Sequence, residues 1–212
     1  MTGAAQGQGA AGAKRFTQYG AKVILSDILD EAGRDLAADL QMPYANLNVT
    51  NEAHWRSAVS QAVSTFGRLD ILVNNAGVSH INHPAETTEA EFTRILQINT
   101  TGMFPGMKHV YPVMKSTGGS IVNIASIAAL TGRAGLASYA ASKWAVRRLS
   151  RPALLDFASD HIRVNTVFPG LIDTPVTRNA YGDQKMSERG HSLPVGRVGT
   201  PRDIANPVLF FA

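Results

Sequence analysis

The feature that most constrains the fold of this chain is an alternation, along nearly its whole length, of short apolar runs with longer amphipathic stretches. The apolar runs are rich in β-branched residues, as strands are. They read AKVILSD, YANLNV, LDILVNNAG, GSIVNIAS and IRVNTVFPG. The helical stretches cover 28–40, 51–66, about 89–116, about 138–159 and 201–211. Strands alternating with helices form βαβ units, so the sequence predicts an α/β fold, a doubly wound parallel sheet with helices on both faces.

The length of the chain favours a single domain covering 1–212, because 212 residues can bury one large core and no linker-like composition interrupts them. The stretch 171–200 has little periodicity and is rich in glycine, proline and charge. A long irregular segment within a compact domain usually has a functional role. We therefore expect residues 171–200 to form a lid over a substrate site.

Composition argues against several classes of function. The net charge is only +4 and the basic residues are scattered, so we expect no nucleic-acid partner. The chain has no cysteine, which excludes disulfides and cysteine-ligated metal, and His80 and His83 have metal-like spacing without a third ligand nearby. We expect no metal site. No apolar run reaches membrane length and no signal peptide is visible, so we expect no membrane partner and a cytoplasmic location.

The chain begins with a glycine-rich turn, TGAAQGQG, followed by the helical stretch AAGAKRFTQYG. Gly3, Gly7 and Gly9 allow a sharp turn and a close approach of the backbone to a bound group. The N–H groups and the dipole at the start of the helix both favour an anion. We expect this turn to bind a phosphate.

An acidic residue, Asp27, closes the strand AKVILSD eighteen residues after Gly9. At that distance its carboxylate can accept hydrogen bonds from an adenosine ribose and repel the 2′-phosphate of NADP, which favours NAD. The alternative is that Asp27 is the N-cap of the following helix. Farther along, NNAG at 74–77 ends a strong strand, where polar amides suit a ligand lying on the sheet, although the same residues also form ordinary turns.

The most specific local pattern is SYAASKWAV, which places Tyr139 and Lys143 four residues apart on one face of a helix. A neighbouring ammonium stabilises a phenolate, so we expect Lys143 to lower the pKa of Tyr139 and make it an acid/base. The spacing alone is common on helices. Ser126 strengthens the interpretation, because it closes the strand GSIVNIAS at the carboxyl end, where ligands bind, although a turn or cap serine is the alternative.

Together these residues resemble the short-chain dehydrogenase/reductase family, NAD(P)-dependent oxidoreductases with one Rossmann-type domain. The matching segments are TGAAQGQG, NNAG, the Asn99 of INTTG, Ser126, YAASK and PGLIDTP, spread over the whole chain. The stretch SDILDEAGRDLAADL most resembles bacterial hydroxysteroid and 3-oxoacyl reductase members. The resemblance implies transfer of a hydride between NAD and a secondary alcohol or ketone.

The resemblance also implies roles for individual residues. Tyr139 would be the acid/base, Lys143 would lower its pKa and bind the nicotinamide ribose, and Ser126 would orient the carbonyl. Asn99 would support a water in a proton relay. The implied cofactor-binding positions are Gly3, Gln6, Gly7, Gln8, Gly9, Asp27, Asn48, Val49, Asn75, Ala76, Gly77, Tyr139, Lys143, Pro169, Gly170, Ile172 and Thr174.

The sequence departs from the family at both ends. The family has a central strand before the glycine turn and a last strand after the segment VLFFA, and this sequence contains neither. We therefore expect a sheet that lacks the first and last family strands. The alternative function, from another class, is a nucleotide-binding or interaction protein whose catalysis is impaired by that loss.

The resemblance further implies a homo-oligomer, a dimer or a tetramer. Family members associate through helices that correspond to those near 94–116 and 138–159. Pro105 and Pro152 fall inside these two predicted helices. An interior proline costs about 3 kcal/mol, so we expect both positions to strain their helices.

Overall fold

A computed structural model describes the backbone of all 212 residues and every side chain except those of Asp183 and Lys185. Strands and helices alternate along the chain as the sequence pattern predicts. The strands are β1 (Leu25–Asp27), β2 (Tyr44–Asn46), β3 (Ile71–Asn74), β4 (Gly119–Ile124) and β5 (Ile162–Val167). The helices are α1 (Gly7–Gln18), α2 (Asp30–Asp39), α3 (Glu52–Phe66), α4 (Glu89–Leu96), α5 (Met103–Met114), α6 (Ala137–Phe157), α7 (Pro175–Tyr181), α8 (Asp183–Ser192) and α9 (Pro201–Phe211).

All strand pairs are parallel. β1 pairs with β2, and β4 lies between β3 and β5. Parallel strands need crossover connections, and the helices supply them. Because every strand points the same way, the carboxyl ends of β1, β3, β4 and β5 lie at one edge of the sheet.

Apolar side chains cover both faces of the sheet, as expected for a doubly wound fold. In β4, Ile121 packs with residues of α3, α5 and α6, whereas its neighbour Val122 packs with residues of α1, α2 and α9. This alternation follows from the two-residue period of a strand. The predicted fold class is confirmed.

The sheet is continued between β1 and β3 by the start of the chain. Thr2 pairs in parallel with Ser26, and its N–H donates to the carbonyl of Val73 at 3.1 Å. Beside it lies a largely apolar cavity of about 440 Å³, whose lining includes Phe16 and Ile24. The cavity extends between the residues just before β1 and those of β3.

Two predicted elements differ in the structure. The helix expected over 89–116 is interrupted by a π-helical turn, Gln97–Thr101, between α4 and α5. The segment 171–200 is not an irregular loop, because it contains α7 and α8. Helix α7 starts with Thr174 as its N-cap and Pro175 in its first turn. A threonine cap followed by proline is a helix-start signal that the prediction overlooked.

The prolines also behave differently from one another. Pro105 lies in the first turn of α5, where a missing N–H breaks no bond within that helix, so the expected strain at this position is wrong. Pro152 lies inside α6, as predicted.

Candidate functional site

A cleft of about 390 Å³, called the main cleft below, runs along the edge formed by the carboxyl ends of the strands. Its lining includes residues that follow different strands: Asp27 closes β1, Asn75 follows β3, and Ser126 and Pro169 follow β4 and β5. The glycine turn and the start of α1 form its far end. Ligands of open α/β sheets bind at this edge, where the strand order reverses.

The glycine turn is shaped by contacts that leave no room for a side chain. Gly3 and Gly7 have positive φ angles of 63° and 56°, which favour glycine. A Cβ on Gly3 would lie 2.8 Å from the Cα of Ala76, and one on Gly9 would overlap the carbonyl oxygen of Gly3. Gly9 therefore supports the turn from behind and does not line the main cleft.

Helix α1 begins at this turn without a side-chain cap from Gln6. Uncapped N–H groups at a helix start can bind an anion. The buried Oε1 atom of Gln8 has no hydrogen-bond partner among the described residues, and Gln8 lines the main cleft. A group carrying phosphate and a hydrogen-bond donor would satisfy both.

Asn75 fixes the glycine turn to the sheet. Its side-chain Nδ2 donates to the carbonyls of Thr2 and Gly3, each at 3.0 Å, and its backbone N–H donates to Thr2 Oγ1. The side-chain NH₂ group is thus engaged by the protein, although Asn75, Ala76 and Gly77 all line the main cleft. The position is in the predicted place, and the observed contacts assign its amide a positioning role.

The carboxylate of Asp27 is held by three backbone N–H groups. Oδ2 accepts from Ala5 at 2.9 Å, and Oδ1 accepts from Ile28 at 2.7 Å and Leu29 at 3.1 Å. The N-cap of α2 is Leu29, so the alternative interpretation of Asp27 as that cap is wrong. A carboxylate offers about four acceptor positions, so Oδ2 keeps capacity for a donor in the cleft that Asp27 lines.

Tyr139 lies where the main cleft meets a second space, a cavity of about 320 Å³ called the side cavity below. Ser126 also lines both. Burial raises the pKa of the Tyr139 phenol, a hydrogen bond with the Ser126 side chain opposes this rise, and nearby Tyr181 adds to it. Ser126 also caps the short 3₁₀ turn after β4, which confirms the alternative interpretation of this serine as a cap.

The pKa of the Tyr139 phenol is raised in this structure, mainly by burial, whereas the sequence analysis expects Lys143 to lower it. The Nζ atom of Lys143 lies 5.9 Å from the centre of the Tyr139 ring and donates to the carbonyl of Ile124 at 2.8 Å. Burial lowers the pKa of Lys143 itself to about 8. Burial therefore disfavours the charged forms of both groups, the phenolate of Tyr139 and the ammonium of Lys143.

Asn99 lies in the π-helical turn and is buried. Its Oδ1 accepts from the N–H of Val78 and its Nδ2 donates to the carbonyl of Val78, both at 2.8 Å. Nδ2 also donates to Ser142 Oγ at 3.0 Å, on the turn of α6 that carries Tyr139 and Lys143. The Asn99 side chain thus joins the loop after β3 to α6. Both its amide oxygen and its amide nitrogen form hydrogen bonds with protein atoms.

The other predicted cofactor positions divide into two groups. Asn48, Val49, Pro169, Gly170 and Thr174 line the main cleft. Ile172 does not line it: the side chain packs in the apolar layer with α9, and the backbone pairs with Gly199.

The side cavity contains residues that the sequence analysis did not identify. Helices α7 and α8 cover it, with Tyr181 and Arg189, and Arg133 reaches it from the loop before α6. No periodicity marks these positions, because they come together only through the way 171–200 folds over the sheet.

The two histidines with metal-like spacing have other contacts. His83 Nδ1 accepts from the N–H of Ala85, and His80 Nε2 lies 3.7 Å from Glu91 Oε1. Across the described residues, no three histidine or acidic side chains form a group suited to a metal ion. None of the helices in these described residues is both long and apolar enough to cross a membrane.

Comparisons with known proteins extend over the whole chain. The family model described as Enoyl-(Acyl carrier protein) reductase matches residues 3–212. A 2,5-dichloro-2,5-cyclohexadiene-1,4-diol dehydrogenase of Sphingobium indicum is 39% identical, over 100% of this chain and 87% of that protein. A 3-alpha-(or 20-beta)-hydroxysteroid dehydrogenase of Mycobacterium tuberculosis is 40% identical, over 100% and 80% respectively. The crystal structure of 3-ketoacyl-(acyl-carrier-protein) reductase from Brucella melitensis complexed with NADH aligns with a TM-score of 0.93 and 31% identity, over 99% and 87%.

Proposed function

The chain belongs to the short-chain dehydrogenase/reductase family, and from that premise we propose a specific reaction: NAD-dependent interconversion of a cyclic secondary alcohol and its ketone. That it is a nicotinamide-dependent oxidoreductase of secondary alcohols and ketones follows from the family and its named relatives. The observation that carries the proposal is the position of Tyr139 and Ser126, at the junction of a long cleft and a separate cavity. The main cleft suits a dinucleotide, and the side cavity suits a substrate.

The main cleft fits a dinucleotide by its own features. The glycine cradle, the uncapped start of α1 and the orphan Oε1 of Gln8 suit a pyrophosphate with neighbouring donors. Asp27 would accept from the adenosine ribose. Its negative charge, followed by uncharged Ile28 and Leu29, disfavours a 2′-phosphate, which supports NAD over NADP. Pro169, Gly170 and Thr174 would lie at the nicotinamide end.

The residues of this chain would manage the proton and the position of the substrate oxygen. When bound, the nicotinamide supplies or accepts the hydride. Tyr139 would take the hydroxyl proton during oxidation and return it during reduction. Ser126 would hydrogen-bond the same oxygen, and Lys143 would bind the nicotinamide ribose. The 2′- and 3′-hydroxyls of that ribose would give the buried ammonium of Lys143 hydrogen-bond partners, which Tyr139 does not provide.

Two positions would support this site indirectly. Asn99 would fix the position of α6 relative to β3 through its side-chain hydrogen bonds. The π-helical turn that contains Asn99 would hold a water of the proton relay. Helices α7 and α8 would act as the lid predicted for 171–200, because they cover the side cavity.

Cyclic alcohols are the substrate class that we propose. One named relative acts on a cyclohexadiene diol, whose hydroxyls are on a ring, and the other acts on hydroxysteroids, whose 3α-hydroxyl is on a ring. The side cavity of about 320 Å³ can hold a single ring with substituents. The second candidate, a binding protein without turnover, has no observation in its favour.

The test is a spectrophotometric assay of reduced nicotinamide with cyclopentanol, cyclohexanol and a hydroxysteroid, each with NAD or NADP. We expect turnover of the ring alcohols with NAD preferred. Binding of NADH without turnover of any alcohol or reverse reduction of any ketone would contradict the proposed function.

We also propose that the enzyme is a homo-oligomer, a dimer or a tetramer. Helices α5 and α6 expose large apolar side chains, including Phe104, Trp144 and Leu155, the last with 76% of its surface accessible. Exposed apolar patches of this kind mark interaction surfaces.

A further inference from the structure

The side cavity has a one-sided charge. Among the described residues that line it, two carry a full charge, and both are arginines, Arg133 and Arg189. The rest of its lining is apolar or uncharged, including Ile127, Leu136 and Val176. A partly enclosed cavity with positive groups and no carboxylate favours a negatively charged ligand.

Both guanidinium groups lie over one aromatic ring. The Cζ atom of Arg189 is 4.4 Å from the centre of the Tyr181 ring, and that of Arg133 is 4.8 Å from it. Stacking on Tyr181 holds the two groups in place by cation–π attraction while leaving their N–H donors free at the edges. Two like charges on one ring repel each other, and an anion between them would remove that repulsion.

Arg189 also has an unsatisfied donor. Its Nη1 atom is buried and makes no hydrogen bond to any described residue. A buried guanidinium nitrogen without a partner is unfavourable, because it has lost its hydration. Its donors match the planar geometry of a carboxylate.

These arginines lie near the reacting centre. Tyr181 is close enough to Tyr139 to raise the pKa of its phenol, and both tyrosines line the side cavity. A substrate whose hydroxyl reaches Tyr139 can therefore extend its far end toward Tyr181 and the arginines. This arrangement suits a ring alcohol with an acidic substituent across the ring.

We infer that the side cavity binds a cyclic secondary alcohol or ketone that carries a carboxylate, with Arg189 as the main anion contact and Arg133 at the entrance. The inference rests on the proposed function, of which it specifies the substrate class. Arg189 would act on substrate affinity more than on the chemical step, because it contacts the end remote from the reacting carbon.

The test compares 4-hydroxycyclohexanecarboxylate with its neutral carboxamide, in the enzyme and in the Arg189→Gln variant. We expect the enzyme to favour the carboxylate in kcat/KM by at least about tenfold, as one charge-assisted hydrogen bond allows. Arg189→Gln should abolish that preference, mainly by raising KM for the carboxylate. Arg147→Gln is the matched control, since Arg147 also stacks on an aromatic ring, Trp144, but lies outside the cavity.

A second measurement does not depend on turnover. Cyclohexanecarboxylate should quench or enhance the fluorescence of the enzyme–NADH complex saturably, with cyclohexanecarboxamide at least about tenfold weaker. If no alcohol is turned over but the carboxylate still binds through Arg189, the proposed reaction fails and the anion site stands. If neutral ring alcohols are turned over with no preference for the carboxylate, in kinetics and in binding, the anion site is overturned and the reaction stands.

Discussion

Lys143, for which we propose a role in cofactor binding, lies in an environment that disfavours its charge. Its side chain is buried, its ammonium donates to the Ile124 carbonyl, and burial lowers its pKa from 10.5 to about 8. Each unit by which the pKa is lowered corresponds to about 1.4 kcal/mol, so burying the charged form reduces the free energy of unfolding by about 3 kcal/mol at neutral pH. The role proposed for Lys143 would explain why a lysine that reduces stability occupies this position.

Replacing Lys143 by Met should therefore stabilise the cofactor-free protein at pH 7 by about 2 kcal/mol, after about 1 kcal/mol for the lost hydrogen bond. The folded state binds this proton less tightly than the unfolded chain. As pH rises from about 8 to 10.5, the folded protein has already lost the Lys143 proton while the unfolded chain still binds it, so the enzyme's free energy of unfolding should increase. The greater stability of Lys143→Met should therefore disappear by about pH 10.5. Urea unfolding of the enzyme and the variant at pH 7 and at pH 10.5 measures this difference. A variant less stable than the enzyme at pH 7 would contradict the burial cost.

Asp27 provides a test of cofactor preference at a single residue. Asp27→Asn removes the charge that opposes a 2′-phosphate, so we expect the ratio of kcat/KM with NADP to that with NAD to rise about tenfold. The variant should also lose about 1–3 kcal/mol of stability, because one of the N–H groups bound by Asp27 meets an NH₂ group. Asp35→Asn is the control, an exposed carboxylate on the adjacent helix α2. An unchanged ratio in Asp27→Asn would remove this residue from cofactor selection.

At the scale of elements, the interruptions of helices explain where sequence reasoning succeeded and failed. A continuous helix over 89–116 fits the apolar period, but a π-helical turn adds one residue and brings Asn99 inward toward Val78. The same turn lets α5 begin afresh, which makes Pro105 harmless. The strand predicted for AKVILSD is longer than β1, which begins only at Leu25. Its partner β2 begins at Tyr44, just after Pro43, which has no N–H to donate to a neighbouring strand.

Pro152 gives a clear prediction at this scale. It is exposed within α6 and removes a helical hydrogen bond without burying its ring. Pro152→Ala should raise the free energy of unfolding by up to about 3 kcal/mol and leave turnover unchanged. Pro201→Ala, at the first turn of α9, should be neutral within about 0.5 kcal/mol. Thermal or urea unfolding compares the two, and equal effects would contradict the helical account.

At the scale of the whole molecule, most of the fold and part of the site could be predicted. The positions of Tyr139, Ser126 and Asp27 at the main cleft could be predicted because strand ends and helix spacing fix where such side chains lie. Arg189 and Tyr181 were missed because their position depends on how α7 and α8 fold over the sheet, which no local period encodes. The pKa of Tyr139 was mispredicted because burial cannot be read from a spacing of four residues.

The proposed assembly is also a whole-molecule property. Light scattering after size exclusion should give the mass of a dimer or a tetramer. Leu155→Arg, on the exposed face of α6, should shift the mass toward the monomer, because a charge opposes apolar association. Tyr19→Ser changes an exposed aromatic residue just after α1, away from α5 and α6, and should leave the mass unchanged. A monomeric enzyme would contradict this proposal.

The central claim is that Tyr139 transfers the proton in a nicotinamide-dependent reaction. The most direct measurement compares the enzyme and Tyr139→Phe for NAD-dependent oxidation of cyclohexanol, with NADH affinity measured by fluorescence on the same samples. The account predicts that the variant loses at least about a hundredfold in kcat, as for loss of an acid/base group, while its NADH affinity stays within about threefold. Turnover retained by Tyr139→Phe at the enzyme's rate would contradict the account.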